Sequence, residues 1–194
     1  MARILAFAGS ARRDSLNKKL ARVAAQFARE AGAEATFVDL DDFPIPLYHG
    51  DLEAASGMPE NARKLREMFL AHDALLIASP ENNSSMTALL KNTIDWLSRD
   101  VGDGRGQDSG LAPWRGKVAG LLAASPGGFG GIRGLPHLRQ VLATLGVTVL
   151  GTQVAVPRAD TVFAADGSIA DARVAKSVRA LAAAVAETAG RLAR

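Results

Sequence analysis

The sequence predicts an α/β fold: a five-stranded parallel sheet with helices on both faces. Short apolar runs recur along the chain, at Ile4–Ala8, Ala35–Leu40, Ala74–Ala78, Val118–Ala124 and from Val147 onward. Between them lie stretches whose apolar residues return at helical spacing. The runs are also near-continuous rather than alternating, as strands buried on both faces require. With 194 residues and no internal repeat, the chain suits a single domain spanning residues 1–194.

The elements follow in order. Ile4–Ala8 is the first strand. Leu16, Leu20, Val23, Ala24, Phe27 and Ala31 then mark one face of a helix that stops at Gly32. Ala35–Leu40 is the second strand. The two prolines of Asp41–Tyr48 forbid a helix there. Pro59 is placed to open a helix running to about Ala71, and Ala74–Ala78 is a third, fully buried strand. A helix is expected from about Ser84 to Ser98, with Met86, Leu89, Leu90, Thr93, Ile94 and Leu97 facing inward. The segment Val101–Gly110 is expected as an exposed loop. Val118–Ala124 is the fourth strand, followed by a helix from about Gly131 to Leu145. Val147–Leu150 begins the fifth strand, with Val156 as its furthest extent. A last helix, about Asp171 to Leu192, carries Val174, Val178, Leu181, Val185 and Leu192 on one stripe.

Composition narrows the function. Hydrophobic residues make up 48% and charged residues 22%, as in ordinary soluble proteins. Cysteine is absent, which removes disulfides, thiolate metal sites and a Cys nucleophile, and suits a reducing, cytoplasmic setting. The N-terminal apolar stretch is too short for a signal peptide, and no window suits a membrane span. The net charge is +3, but the 23 basic residues are interleaved with 20 acidic ones and aromatics reach only 5%. That pattern argues against nucleic acid and fits a small anionic ligand.

Ligands of doubly wound sheets sit at the carboxyl ends of the strands, so the turns after strands one, three and four carry the functional argument. The first, Gly9-Ser10-Ala11-Arg12-Arg13-Asp14-Ser15-Leu16-Asn17, gathers hydroxyls, an Arg and an Asn amide at a helix N-terminus, where backbone N–H groups and the helix dipole favour an anion such as phosphate. Ser15 or Asp14 also reads as a simple N-cap. The second, Ser79-Pro80-Glu81-Asn82-Asn83-Ser84-Ser85, sets several polar groups at the mouth of the sheet, where a flat heteroaromatic edge could meet them, and equally suits a capping segment. The third, Ser125-Pro126-Gly127-Gly128-Phe129-Gly130-Gly131, has four glycines in five positions, permitting close backbone approach to a ligand or a merely flexible loop. Neither a Gly-x-Gly-x-x-Gly fingerprint nor a Walker motif is present.

Taken together, Gly9-Ser10-x-Arg12-x-x-Ser15-x-Asn17, Asp39-Leu40-x-Asp42-Phe43-Pro44-x-Pro46-Leu47-Tyr48, Pro80-Glu81-x-Asn83-x-Ser85, Leu90-Lys91-Asn92-Thr93-Ile94-Asp95-Trp96 and Ser125-Pro126-Gly127 with Gly130-Gly131 resemble the NADPH-dependent FMN reductase family. The likeness runs from Ile4 to about Leu150. It implies a flavodoxin-like three-layer sandwich with strand order 2-1-3-4-5. It assigns Ser10, Arg12, Ser15 and Asn17 to the FMN phosphate, with the adjoining Leu16 in the same cofactor site. Pro80, Glu81, Asn82 and Asn83 would line the isoalloxazine, and Ser125 with the glycines after it would close the other side. The chain departs from the family at Asn82, where Tyr is usual, and at Ser84, where Gly is common.

The resemblance further implies an enzyme in which hydride passes from NADPH (or NADH) through FMN to a small-molecule acceptor: a quinone, azo compound, flavin or metal oxyanion. It also implies a homodimer or homotetramer, with Met86, Trp96 and Leu97 as core or interface residues and core the better-supported reading for each. The flavin carries the hydride chemistry, so no dedicated acid–base residue is needed. His49, His72 and His137 show no metal spacing, and among them His49 is expected nearest a pocket. Two alternatives remain at this level: a non-catalytic flavin-binding electron carrier or redox sensor, and a protein that kept the fold without the flavin.

Overall fold

A computed structural model of the chain describes residues 1–102 and 107–192. Five strands, β1 (Arg3–Ala8), β2 (Glu34–Val38), β3 (Ala74–Ala78), β4 (Val118–Ala124) and β5 (Thr148–Val156), form one sheet in the order β2-β1-β3-β4-β5. Every neighbouring pair is parallel. Among the described residues seven α-helices accompany them: α1 (Leu16–Glu30), α2 (Gly50–Ser56), α3 (Glu60–Leu70), α4 (Ala88–Leu97), α5 (Gln107–Leu111), α6 (Gly134–Thr144) and α7 (Ala172–Leu192).

The side-chain period of two splits each strand between two cores. Ile4, Ala6 and Ala8 of β1 join Leu76, Leu122 and Val156 beneath α1 and α7, which contribute Leu20, Phe27, Val178, Leu181 and Val185. Leu5 and Phe7 join Leu75, Ile77 and Leu121 on the opposite face, covered by Leu65 and Phe69 of α3, Leu90 and Ile94 of α4, and Leu138 and Leu142 of α6. Each face thus has its own apolar stripe and its own helices. The chain leaves β1 for β2 on one side and returns to β3 on the other, so the carboxyl ends of β1 and β3 flank the switch point.

Several boundaries differ from expectation. Helix α2 is new. None of its residues is buried, so it carries no inward apolar stripe, and it begins with the His49 side chain accepting from the Asp51 N–H. A single 3₁₀ turn, Leu40–Asp42, precedes the proline segment. Helix α4 begins at Ala88 rather than Ser84, because Asn83 and Ser84 take φ of 50° and 63°, which no right-handed helix accommodates. Likewise α6 begins at Gly134, after Gly130 and Gly131 at positive φ. On α7, Ala189 is buried and Leu192 exposed. The Val101–Gly110 segment is not an exposed loop throughout: α5 starts at Gln107, and Ser109 and Gly110 are buried, while residues 103–106 lie outside the described part. No helix among the described residues is long and apolar enough to cross a membrane.

Candidate active site

The three turns converge on a cleft of about 480 Å³ at the carboxyl end of the sheet. Ser10, Arg12, Ser15, Leu16, Asn17, Pro80, Glu81, Asn82 and Ser125 all line it, together with Gly9, Ala11, Thr87, Ala88, Leu89, Ala124 and Pro126. Asn83 does not. It sits exposed at the tip of a tight turn in which Asn82 and Ser85 exchange both backbone hydrogen bonds (2.9 and 3.0 Å). With positive φ at both central residues, this is a type I′ turn.

Each pair of turns is joined by a side chain. Asn17, buried in the first turn of α1, donates from Nδ2 to the Ala124 carbonyl (2.8 Å) and accepts at Oδ1 from the Ala124 N–H (2.9 Å), so turn one is bolted to the end of β4. Oδ1 and one Nδ2 hydrogen are thus engaged by Ala124, and the second Nδ2 hydrogen is what Asn17, a lining residue, can offer a phosphate. Thr87, the N-cap of α4, accepts from the Leu90 N–H (3.1 Å) and donates to the Gly9 carbonyl (2.7 Å), tying turn two to turn one. A Cβ on Gly9 would come within 2.9 Å of the Leu90 Cβ, so α4 packs just past the end of β1, at a residue with no side chain.

Glu81 joins turn two to turn three. Its carboxylate accepts from the Arg133 N–H (2.8 Å), Arg133 Nε (2.7 Å) and the Gly134 N–H (3.1 Å), capping α6 from across the cleft. Burial works to raise this carboxyl. The bonds from Arg133 and Gly134 outweigh that and hold it below the usual glutamate range. Glu81 lines the cleft with its carboxylate turned to Arg133 and Gly134, so the side chain is a strut between the two turns.

The glycine loop also has an internal purpose. A Cβ on Gly130 would lie 2.6 Å from the Pro157 nitrogen, and one on Gly131 would lie 2.8 Å from the Ala123 Cβ. Both residues are buried at positive φ, so the packing of the loop on β4 and β5 demands them without any ligand. Ser125 accepts at Oγ from the Gly127 N–H (3.1 Å) and is half-buried at the cleft wall.

Turn one is different in kind. Arg12 is exposed. Its guanidinium reaches only the Asp14 carbonyl (3.0 Å), and its N–H donates to Ser10 Oγ (3.3 Å). Ser15 is the N-cap of α1, accepting from the Lys18 N–H. The N–H groups that open α1 have no preceding turn to accept from them. Hydroxyls, a guanidinium and helix-end N–H groups thus face one end of the cleft, a donor set suited to a phosphate monoester. Beneath them Lys18 is buried, its ammonium 2.8 Å from Asp39 Oδ1 and 3.3 Å from the Ala11 carbonyl. Its charge gave no hint of burial in the sequence. Thr87 and Leu89 were also not foreseen as cleft residues, because both read as ordinary helix positions.

The remaining motif residues tie α4 to the proline segment. On α4, Asn92 and Trp96 stand one turn apart. Both donate to the Pro46 carbonyl (2.9 and 2.8 Å), and Asn92 Oδ1 accepts from the Tyr48 N–H (2.7 Å). Trp96 is fully buried and packs edge-on against Tyr48, so it is a core residue. None of the histidines lines the cleft. His49 caps α2, His72 Nδ1 contacts the Met68 carbonyl, and it is His137, not His49, that flanks the site, 3.1 Å from Ser85 Oγ. No cluster of metal-ligating side chains occurs among the described residues.

Comparison with known proteins gives the same direction. The chain is 38% identical over 171 residues to an NAD(P)H-dependent FMN reductase of Pseudomonas aeruginosa, covering 87% of this chain and 85% of that protein. It is 36% identical to a 2-hydroxy-1,4-benzoquinone reductase of a Burkholderia species, covering 76% and 74%. Its fold superposes on the flavoenzyme NAD(P)H:acceptor oxidoreductase FerB of Paracoccus denitrificans with a TM-score of 0.82, at 29% identity and 98% coverage of both chains. The profile of the NADPH-dependent FMN reductases matches residues 2–161, and the chain belongs to that family of flavin-linked oxidoreductases.

Proposed function

We propose that this protein is an FMN-dependent NAD(P)H oxidoreductase whose acceptor is a quinone. The observation that carries the reading is the single cleft in which a phosphate-suited turn meets two flat, polar loop edges. The named activity of the Burkholderia relative, a benzoquinone reductase, supports a quinone as the acceptor.

In this reading Ser10, Arg12, Ser15 and the N–H groups at the start of α1 bind the FMN phosphate. Leu16 and Leu89 supply apolar contact that keeps water from the cofactor's chain, and Pro80, Asn82, Ser125 and Pro126 flank the ring. FMN, when bound, supplies the hydride-transfer chemistry. The protein's part is to orient and to exclude. Glu81, held ionised by Arg133, serves neither as acid nor as base. Asn82 gives the ring a polar edge rather than an aromatic cover. We also assign the chain a single domain, a homodimeric or homotetrameric assembly and a cytoplasmic setting.

The test is direct. Purified protein is expected to be yellow, or to quench FMN fluorescence at micromolar flavin, and to oxidise NADPH with a benzoquinone at steady state. Protein that never quenches FMN contradicts the reading. Flavin binding without NADPH or NADH turnover would make it an electron carrier or sensor instead.

A further inference from the structure

We propose that Lys18 is a positioning residue for the cofactor phosphate, acting through the Ala11–Arg12 peptide; this rests on the phosphate assignment above. Lysine is rarely buried without a task, yet the Lys18 side chain is only 3% exposed. Its ammonium lies between Asp39 Oδ1 (2.8 Å) and the Ala11 carbonyl (3.3 Å). Asp39 is held in turn at the end of β2, where its carboxylate also accepts from the Asp41 N–H (3.2 Å) and stands 3.8 Å from Arg22. Lys18 therefore links a fixed point on the sheet to an exposed loop.

Trans peptide geometry gives that link its consequence. The C=O of Ala11 and the N–H of Arg12 belong to one planar unit and point in opposite directions. Drawing the Ala11 carbonyl down onto the buried ammonium turns the Arg12 N–H outward, where it meets Ser10 Oγ at the cleft wall. Without Lys18 the Ala11 carbonyl loses its partner, and the 3.3 Å bond from the Arg12 N–H to Ser10 Oγ is left to resist a turn that brings the oxygen toward the bound anion. Stability alone is a poor account of the pair, since a buried ion pair roughly breaks even against apolar residues. Lys18 and Arg22 against Asp39 also leave one surplus positive charge below the loop. The two carboxyl-end motifs, at turn one and at Asp39, thereby become one device.

The experiment compares FMN with riboflavin, which lacks the phosphate, by fluorescence quenching for the wild type, Lys18→Met, Lys18→Arg and Asp39→Asn. Loss of the Arg12 N–H that fixes the Ser10 hydroxyl at the phosphate end predicts an FMN affinity about tenfold lower in Lys18→Met, with riboflavin changed less than about threefold. Lys18→Arg, whose guanidinium can also span Asp39 and the carbonyl, is expected to restore most of the FMN preference. Asp39→Asn, which frees the ammonium from its anchor, is expected to reduce it. Should Lys18→Met fail to fold, Asp39→Asn decides by the same ratio. A wild-type FMN-to-riboflavin ratio in the variants, whether from unchanged or parallel binding, overturns the role of Lys18. A wild type that does not prefer FMN overturns the phosphate assignment itself, and Lys18 with it.

Discussion

The floor of the cleft and its phosphate end are built by opposite means. On the floor, Asn17, Thr87 and Glu81 make bonds between turns that lie 52 to 107 residues apart in sequence. At the phosphate end, Ser10 and Arg12 make short-range bonds to residues two or three positions away. One region holds the geometry, and the other is left to meet a ligand. The difference teaches that residues of one motif need not be held alike: Asn17 and Arg12 stand five positions apart, yet Asn17 braces two distant turns and the Arg12 guanidinium bonds only within its own.

Substitutions can break this contrast. Asn17→Ala should have the largest effect, since it strands a buried N–H and a buried C=O of Ala124 and costs about 2–4 kcal/mol of stability, measured by urea unfolding. A loss confined to FMN affinity would mean that Asn17 contacts the ligand after all. Arg12→Ala should do the reverse: unchanged unfolding, with FMN weakened about tenfold to a hundredfold and riboflavin spared. Equal losses for both flavins would move Arg12 to the ring end.

Glu81 sharpens the contrast through pH. Its folded carboxyl titrates below the ordinary range, so its contribution is present above about pH 4.3 and is lost as pH falls through the depressed folded value. The wild type should therefore lose more stability than Glu81→Gln between about pH 5 and pH 3. Parallel acid curves would show that the strut carries no weight. The smallest effect is expected at the tip of turn two, where Ser84→Gly relieves a left-handed side chain and stabilises by about 1 kcal/mol or less. A destabilised Ser84→Gly protein would contradict the strain at that φ.

Much of this architecture was legible in the residues. The runs Ala74–Ala78 and Val118–Ala124 match β3 and β4 residue for residue, because strands buried on both faces are written as unbroken apolar text. Legibility failed where periodicity has nothing to report. Helix α2 buries no side chain, and the start of α4 is delayed by two backbone φ values that Asn and Ser do not announce. At the site, the three turns were visible as motifs, and most of their residues do line one cleft. Their division of labour was not visible, since it depends on partners far away in sequence: Asn17 on Ala124, Glu81 on Arg133, Lys18 on Asp39. Two of the four glycines of turn three hid a packing role for the same reason: Gly130 and Gly131 are required by Pro157 and Ala123, whereas Gly127 and Gly128 have room for a side chain.

The most direct test of the account is a crystal structure of the protein soaked with FMN. The phosphate should lie among Ser10, Arg12 and Ser15, with the ring between the Pro80–Asn82 and Ser125–Pro126 edges and the Asn17–Ala124 and Glu81–Arg133 bonds intact. A phosphate bound elsewhere, or a cleft that stays empty while FMN binds at another face, would contradict it.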